Sequence, residues 1–200
     1  MAISSTSESD WAWLPMDLLD SILHKLASPI DQVLVLDHRG ELLSIDVNTN
    51  QKKILATRDL RYADLTYLVE TSGGDLLVVR RCLDSWRDQG MTDSFEVYKL
   101  VLDHESGRVV KRVEVKNIGD DALFLGDNYS ISVSASAFLG CRPNFIYYTD
   151  DYIDTMPYYP NGPIDMGIFN LEDRSIQLHY KPNPSHKHKS PPIWILLPML

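Results

Sequence analysis

Apolar positions recur at helical intervals in one stretch of the chain. Wound at about 100° per residue, Leu14, Leu18, Leu19, Ile22, Leu23 and Leu26 share an arc of roughly 180°, while Asp17, Asp20, Ser21, His24 and Lys25 take the other side. The pattern predicts an amphipathic helix over Trp13 to Ala27. Pro15 suits its first turn, where a missing N–H costs nothing, Asp17 complements the positive end of the dipole, and Pro29 stops it.

From Gln32 the period changes to two. Short runs of Val, Ile, Leu and Tyr are separated by turn chemistry, and the runs pair as hairpins. Val33 to Leu36 and Glu41 to Val47 flank a turn ending in Gly40, and Thr66 to Glu70 and Asp75 to Arg81 flank Ser72-Gly73-Gly74. Phe95 to Asp103 and Val109 to Val115 flank His104-Glu105-Ser106-Gly107, and Ala122 to Leu125 and Tyr129 to Ser136 flank Gly126-Asp127-Asn128. Phe145 to Thr149, Met166 to Leu171 and Ser175 to Tyr180 bring the count to about eleven strands, with no second helix.

An internal repeat underlies these runs. Leu43 to Thr49, Val97 to Leu100 with Asp103 and Gly107 following, and Ile168 to Asp173 each form an alternating strand, an Asx-rich turn and a more polar strand. Gly40-Glu41-Leu42-Leu43 is echoed by Gly74-Asp75-Leu76-Leu77. Divergent copies of about four strands suit the blades of a β-propeller. A β-sandwich is the competing reading, and the pattern leaves both open. The expected class is mainly β, a partial propeller of about three blades of antiparallel strands preceded by one helix.

Composition narrows the function. With 200 residues the chain has room for one ordinary domain and a small appendage. The formal net charge of -9, with no clustered Lys or Arg, lacks the footprint that phosphate neutralisation needs, so no nucleic acid is expected. Apolar runs fall short of the ~20 residues of a membrane span. Cys82 and Cys141 follow no metal or redox spacing and read as two reduced thiols, and residues 1–10 carry neither the Arg nor the apolar run of a leader. Cytoplasm or nucleus is the expected location.

The segment Trp13 to Leu26 resembles the opening of an F-box, the helical module that docks on the Skp-type adaptor of cullin-based ubiquitin ligases. The resemblance makes Leu14, Pro15, Leu18, Leu19, Ile22 and Leu26 the adaptor-binding residues. A helix that simply covers a face of its own β-domain is the plainer alternative. A longer resemblance begins near Val33. Asp37 to Asp46, Gly74 to Arg81, Gly119 to Asn128, Ser132 to Ser136, Gly140 to Asp151, Asp165 to Leu171 and Pro191 to Trp194 are similar to plant F-box proteins with a KIB-type β-propeller domain. Family F-boxes continue into further helices, whereas here Ser28-Pro29-Ile30-Asp31 runs straight into the first strand. The chain resembles the family's last few blades joined to its first helix, which implies an adaptor contact that is weak or lost. The implied organisation is a tail over 1–10, a truncated F-box helix over 11–31, an incomplete propeller domain over 32–181 and a tail over 182–200.

That resemblance implies substrate recognition for a ligase whose chemistry belongs to its partners, with an unknown protein substrate. The rival is a stand-alone propeller-derived binding protein or decoy. No phosphate-cradling loop, nucleophile elbow or His-Glu-x-x-His pair is present, so no catalytic residue, metal or cofactor is assigned. His186-Lys187-His188 lacks a third ligand, and Asp150, Asp151 and Asp154 fit turn formation better than a cation site. The best partner surface is the excursion in which Tyr152, Tyr158 and Tyr159 alternate with Pro157, Pro160 and Pro163, because Tyr supplies large amphipathic contact area and Pro lowers the ordering cost. These rings fit packing between blades equally well, and Tyr147 and Tyr148, in a strand, belong to the core. Fewer than three full blades cannot close a ring, so Leu76, Val78, Val97, Ile131, Val133 and Ile168 are expected to meet water and to favour self-association.

Overall fold

The computed structural model describes residues 32–36, 40–57, 64–84, 91–126, 130–150, 165–178 and Trp194. The helix expected over Trp13 to Ala27, the tail over 1–10 and all of the tail over 182–200 except Trp194 lie outside them. The described strands are β1 (Gln32–Leu36), β2 (Leu42–Asp46), β3 (Lys52–Ala56), β4 (Leu65–Glu70), β5 (Leu76–Leu83), β6 (Thr92–Leu102), β7 (Val109–Glu114), β8 (Asp121–Leu125), β9 (Ser130–Ser134), β10 (Phe145–Tyr148), β11 (Gly167–Asn170) and β12 (Ile176–Leu178). They form sheet I, β1-β2-β3; sheet II, β4-β5-β6-β7; and sheet III, β9-β8-β10-β11-β12. The edge strand β4 of sheet II lies against both β1 and β9.

Sheet II is the middle layer, and its sequence says why. Strand β5 is a near-continuous apolar run because both of its faces are covered. Leu77 and Val79 pack with Phe95 and Val97 against Leu123, Leu125, Ile146, Tyr148 and Phe169 of sheet III. On the other side Val78 and Leu100 pack against Leu42 and Leu55 of sheet I. Sheet III's outer face carries Phe124, Ile131 and Tyr147 beside Ala122 and Val133. Phe124 stacks on Tyr147 at 4.7 Å, and Trp194 closes edge-on over Phe124 at 4.9 Å with its indole N–H donating to Leu125 O at 2.8 Å.

The sequence repeat is a repeat of geometry. The N–H groups of Asp46, Asp103 and Asn170 donate to the carbonyls of Gln51, Arg108 and Ser175, five residues on, at 3.0, 2.8 and 2.9 Å. The residue four on, Asn50, Gly107 or Arg174, donates back to the first carbonyl and has φ of 57°, 62° or 59°. Each side chain at the first position accepts from loop N–H groups, as Asp46 does from Asn48 and Thr49. Such bonds stabilise the ionised carboxylate, and they hold Asp46 and Asp103 below the ordinary value of 3.8. Every sheet thus ends in the same outer hairpin, β2–β3, β6–β7 or β11–β12. The echo holds too, since Gly40 and Gly74 have φ of 76° and 81° just before β2 and β5.

Three expectations need correction. Strand β3 adds to the eleven, because only Ile54, Leu55 and Ala56 of Lys52–Ala56 are apolar and the pattern is too weak to set its bounds. The strands are not all antiparallel, since β10 pairs with β8 in parallel, Phe145 opposite Ala122. After the β8–β9 hairpin the chain passes the start of β8 and enters on its far side. Asn144 fixes that entry. Its φ is 64°, its N–H donates to Asp121 O at 2.8 Å, and its side-chain oxygen accepts from Ile118 N at 3.0 Å. Finally, Val78, Val97, Val133 and Ile168 do not meet water, being 7%, 1%, 8% and 8% exposed. Neighbouring sheets cover the first two, because sheet II lies between sheets I and III, an order of layers that local patterning does not carry.

Candidate functional site

Two arginines side by side in β5 must point to opposite faces, and β5 is covered on both. Arg80 faces sheet I and pairs with Glu96 at 2.9 Å. Arg81 faces sheet III and is 0% exposed. A buried guanidinium is tolerable only when its charge and its five donors are satisfied. Nε donates to Thr92 Oγ1 at 2.7 Å, and one terminal nitrogen donates to Tyr67 Oη at 3.1 Å and Thr149 O at 2.9 Å. The other donates to Asp165 O at 3.2 Å and Asp165 Oδ2 at 2.7 Å.

The acceptors have support of their own. Asp165 Oδ2 also accepts from Thr92 N at 2.8 Å and Thr92 Oγ1 at 2.7 Å, while Asp165 N donates to Asp150 Oδ2 at 3.2 Å. The guanidinium carbon lies 4.7 Å from the Tyr148 ring centroid and 5.9 Å from that of Phe95, so cation–π attraction adds to the ion pair. Burial, and after it the Asp165 carboxylate, push the Tyr148 phenol well above its ordinary range, so this hydroxyl stays protonated at physiological pH. Asp165 Oδ1 and Tyr148 Oη are buried without a hydrogen-bond partner among the described residues.

Arg81 therefore grips both ends of one excursion. Thr149 and Asp150 stand at its start and Asp165 at its end. Between them lie residues 151–164, with Tyr152, Tyr158 and Tyr159, all outside the described residues, as are Leu14, Pro15, Leu18, Leu19, Ile22 and Leu26. Tyr148 is core at 1% exposure, and Tyr147 is half-buried on the outer face of sheet III. Sequence patterning alone does not single out Arg81, Thr92 and Asp165 as site residues. Its usable signal was Arg80-Arg81 inside an apolar strand, which forces one charge toward each covered face.

The Arg81 donors are spent on Thr92, Tyr67, Thr149 and Asp165, and the paired oxygen of Asp165 accepts from both Arg81 and Thr92. Groups of three or more His, Cys, Asp or Glu that could hold a metal do not occur among the described residues. Cys82 and Cys141 are free, partly buried thiols, each pushed up chiefly by burial, which leaves little reactive thiolate.

Residues 1–170 match the family described as KIB1-4 beta-propeller. Among curated proteins of Arabidopsis thaliana, the chain is 39% identical over 96 residues to the putative F-box protein At1g65770, covering 48% of this chain and 25% of that protein. It is 29% identical over 194 residues to the putative F-box protein At4g22660, covering 88% and 44%. Identity to the F-box protein SKIP23 is 25% over 203 residues, covering 88% and 48%. The match spans less than half the length of each of these relatives. No solved structure matches.

Proposed function

Since the chain belongs to the KIB1-4 β-propeller family, and since its relatives are named F-box proteins, we propose that it is a non-enzymatic interaction module that recognises a protein substrate for a cullin-based ubiquitin ligase. The observation that carries this reading is the grip of Arg81 on both ends of the 151–164 excursion. A segment rich in Tyr and Pro whose two flanks are held by Arg81 would offer aromatic contact area at low ordering cost. Tyr152, Tyr158 and Tyr159 form the partner surface of this proposal, with no cofactor and no metal. No helix among the described residues is long and apolar enough to cross a membrane, and cytoplasm or nucleus is the proposed location.

Residues 11–31 supply one F-box-like helix in this reading. A single helix buries far less than the ~800 Å² per partner of a stable interface, so the contact with a Skp-type adaptor is weak. Titrating the purified full chain with purified adaptor should give micromolar or weaker binding that Leu14→Ala plus Ile22→Ala removes. Complete absence of binding favours the second reading, a stand-alone binding protein or decoy, which the short linker from the F-box-like segment into β1 supports. Submicromolar binding unaffected by the two substitutions would sink both assignments of the N-terminal residues.

A further inference from the structure

Sheet I has a face that no described element covers. Register places Val33 opposite Ile45, Val35 opposite Leu43, and Leu43 opposite Ile54, so these five side chains share one side. Their neighbours Leu36, Leu42 and Leu55 point the other way, into sheet II. None of the five belongs to a described apolar cluster, and exposure across the face runs from 9% at Leu43 to 48% at Ile54. Sheet III, at the other end of the stack, has Trp194 closing over Phe124. The two outer faces of the stack therefore differ.

We propose that residues 13–27 pack as a helix across this face of sheet I, seating Leu14, Leu18, Leu19, Ile22, Leu23 and Leu26 on Val33, Val35, Leu43, Ile45 and Ile54. Three observations select this occupant over a second copy. The segment ends next to the sheet, since Ser28-Pro29-Ile30-Asp31 leads directly into β1 at Gln32, and connections of two to six residues between a helix and a strand are ordinary. Dimensions agree, because fifteen residues of helix span about 22 Å and each five-residue strand of the sheet about 17 Å. Chemistry agrees as well: the segment's one apolar arc meets a largely aliphatic sheet face, with Lys52 at its edge, whose exposure rises to 48% at Ile54.

A consequence follows for the adaptor. The arc that would dock on sheet I contains five of the six residues assigned to adaptor binding, all but Pro15, so the two contacts are mutually exclusive. Occupancy of sheet I would hold the helix back in the free protein. This consequence rests on the ligase reading, whereas the packing itself does not.

Amide hydrogen exchange on the full chain, without adaptor, tests the packing separately. An isolated helix of this length is marginal in water, so its amides exchange freely unless it is docked. Amides of residues 18–26 should exchange at least about tenfold more slowly than in an unfolded control. Protection should be lost with Ile45→Glu, and with Leu18→Glu plus Ile22→Glu, while the β5 and β6 amides keep theirs. If Ile45→Glu also exposes β5 and β6, Ile54→Glu, at the most open position of the face, replaces it. Light scattering on the same samples should give a monomer. Free exchange of residues 18–26 in the unsubstituted chain, protection that survives the sheet I substitutions, or protection present only where the chain dimerises overturns the proposal.

Discussion

Arg81→Met is expected to lower the unfolding free energy by about 3–5 kcal/mol, the range found when one partner of a buried ion pair is removed. The magnitude follows from where the pair sits. Arg81 and Asp165 side chains are 0% and 6% exposed at 2.7 Å, so water cannot compensate the carboxylate left behind. Lys99 and Asp75 are as close, at 2.6 Å, but 41% and 49% exposed, and an exposed pair of that kind contributes about 0–1 kcal/mol. The methionine would fill part of the stem's volume yet supply none of the donors that Thr149, Tyr67, Thr92 and Asp165 now use. Adding Asp165→Asn to Arg81→Met should recover part of the loss, since the stranded charge is its largest component. Urea unfolding reads both effects. A loss below about 1 kcal/mol for Arg81→Met would mean that the guanidinium is not the clamp between sheets II and III.

Phe95→Ala should cost a similar amount, about 3–5 kcal/mol, through a different mechanism. Phe95 is 0% exposed on β6 and tilts against Tyr148 at 5.2 Å and Phe169 at 5.3 Å, so one ring fills the layer between sheets II and III. Truncation leaves a cavity that two strands of sheet III can close only by moving. Val110→Ala, at a position 64% exposed on β7, is the matched control and should stay within about 0.5 kcal/mol of the original. A small loss at Phe95 would show that the two sheets do not share one core.

Much of the fold was legible because hairpins are local. Turn residues and alternation gave the β1–β2, β4–β5, β6–β7 and β8–β9 pairings, and the Asx repeat marked three turns whose two backbone hydrogen bonds fall at the same positions, although the bounds of β3 after the first of them were not legible. Layer order is not local. Nothing within Leu76 to Val79 or Phe95 to Val97 says which sheet lies over it, and so Val78 and Val97 were expected in water although they lie between sheets. The parallel entry of β10 was hidden for the same reason, since it depends on a buried Asn144 at positive φ joined to Ile118 and Asp121.

The candidate site divides along the same line. The Tyr- and Pro-rich excursion could be read from composition, but its anchor could not, because Arg81 and Asp165 are 84 residues apart and meet only through packing. Arg80-Arg81 in an apolar strand announced a buried charge without naming its partner. The open face of sheet I was missed because Val33, Val35, Leu43, Ile45 and Ile54 look like any half-buried strand positions until pairing puts them on one side.

Residues 151–164 are the proposed partner surface, and site-specific photo-crosslinking tests that most directly. A photoreactive amino acid would be placed in turn at Tyr152, Tyr158, Tyr159 and the exposed control Val110 in the full chain, expressed in plant cells and irradiated there. Discrete protein adducts from the three loop positions, absent from Val110 and abolished when Arg81→Met releases the loop, are the predicted result. Adducts from Val110 alone, or loop positions that stay unlinked while the chain captures partners through another surface, would contradict it.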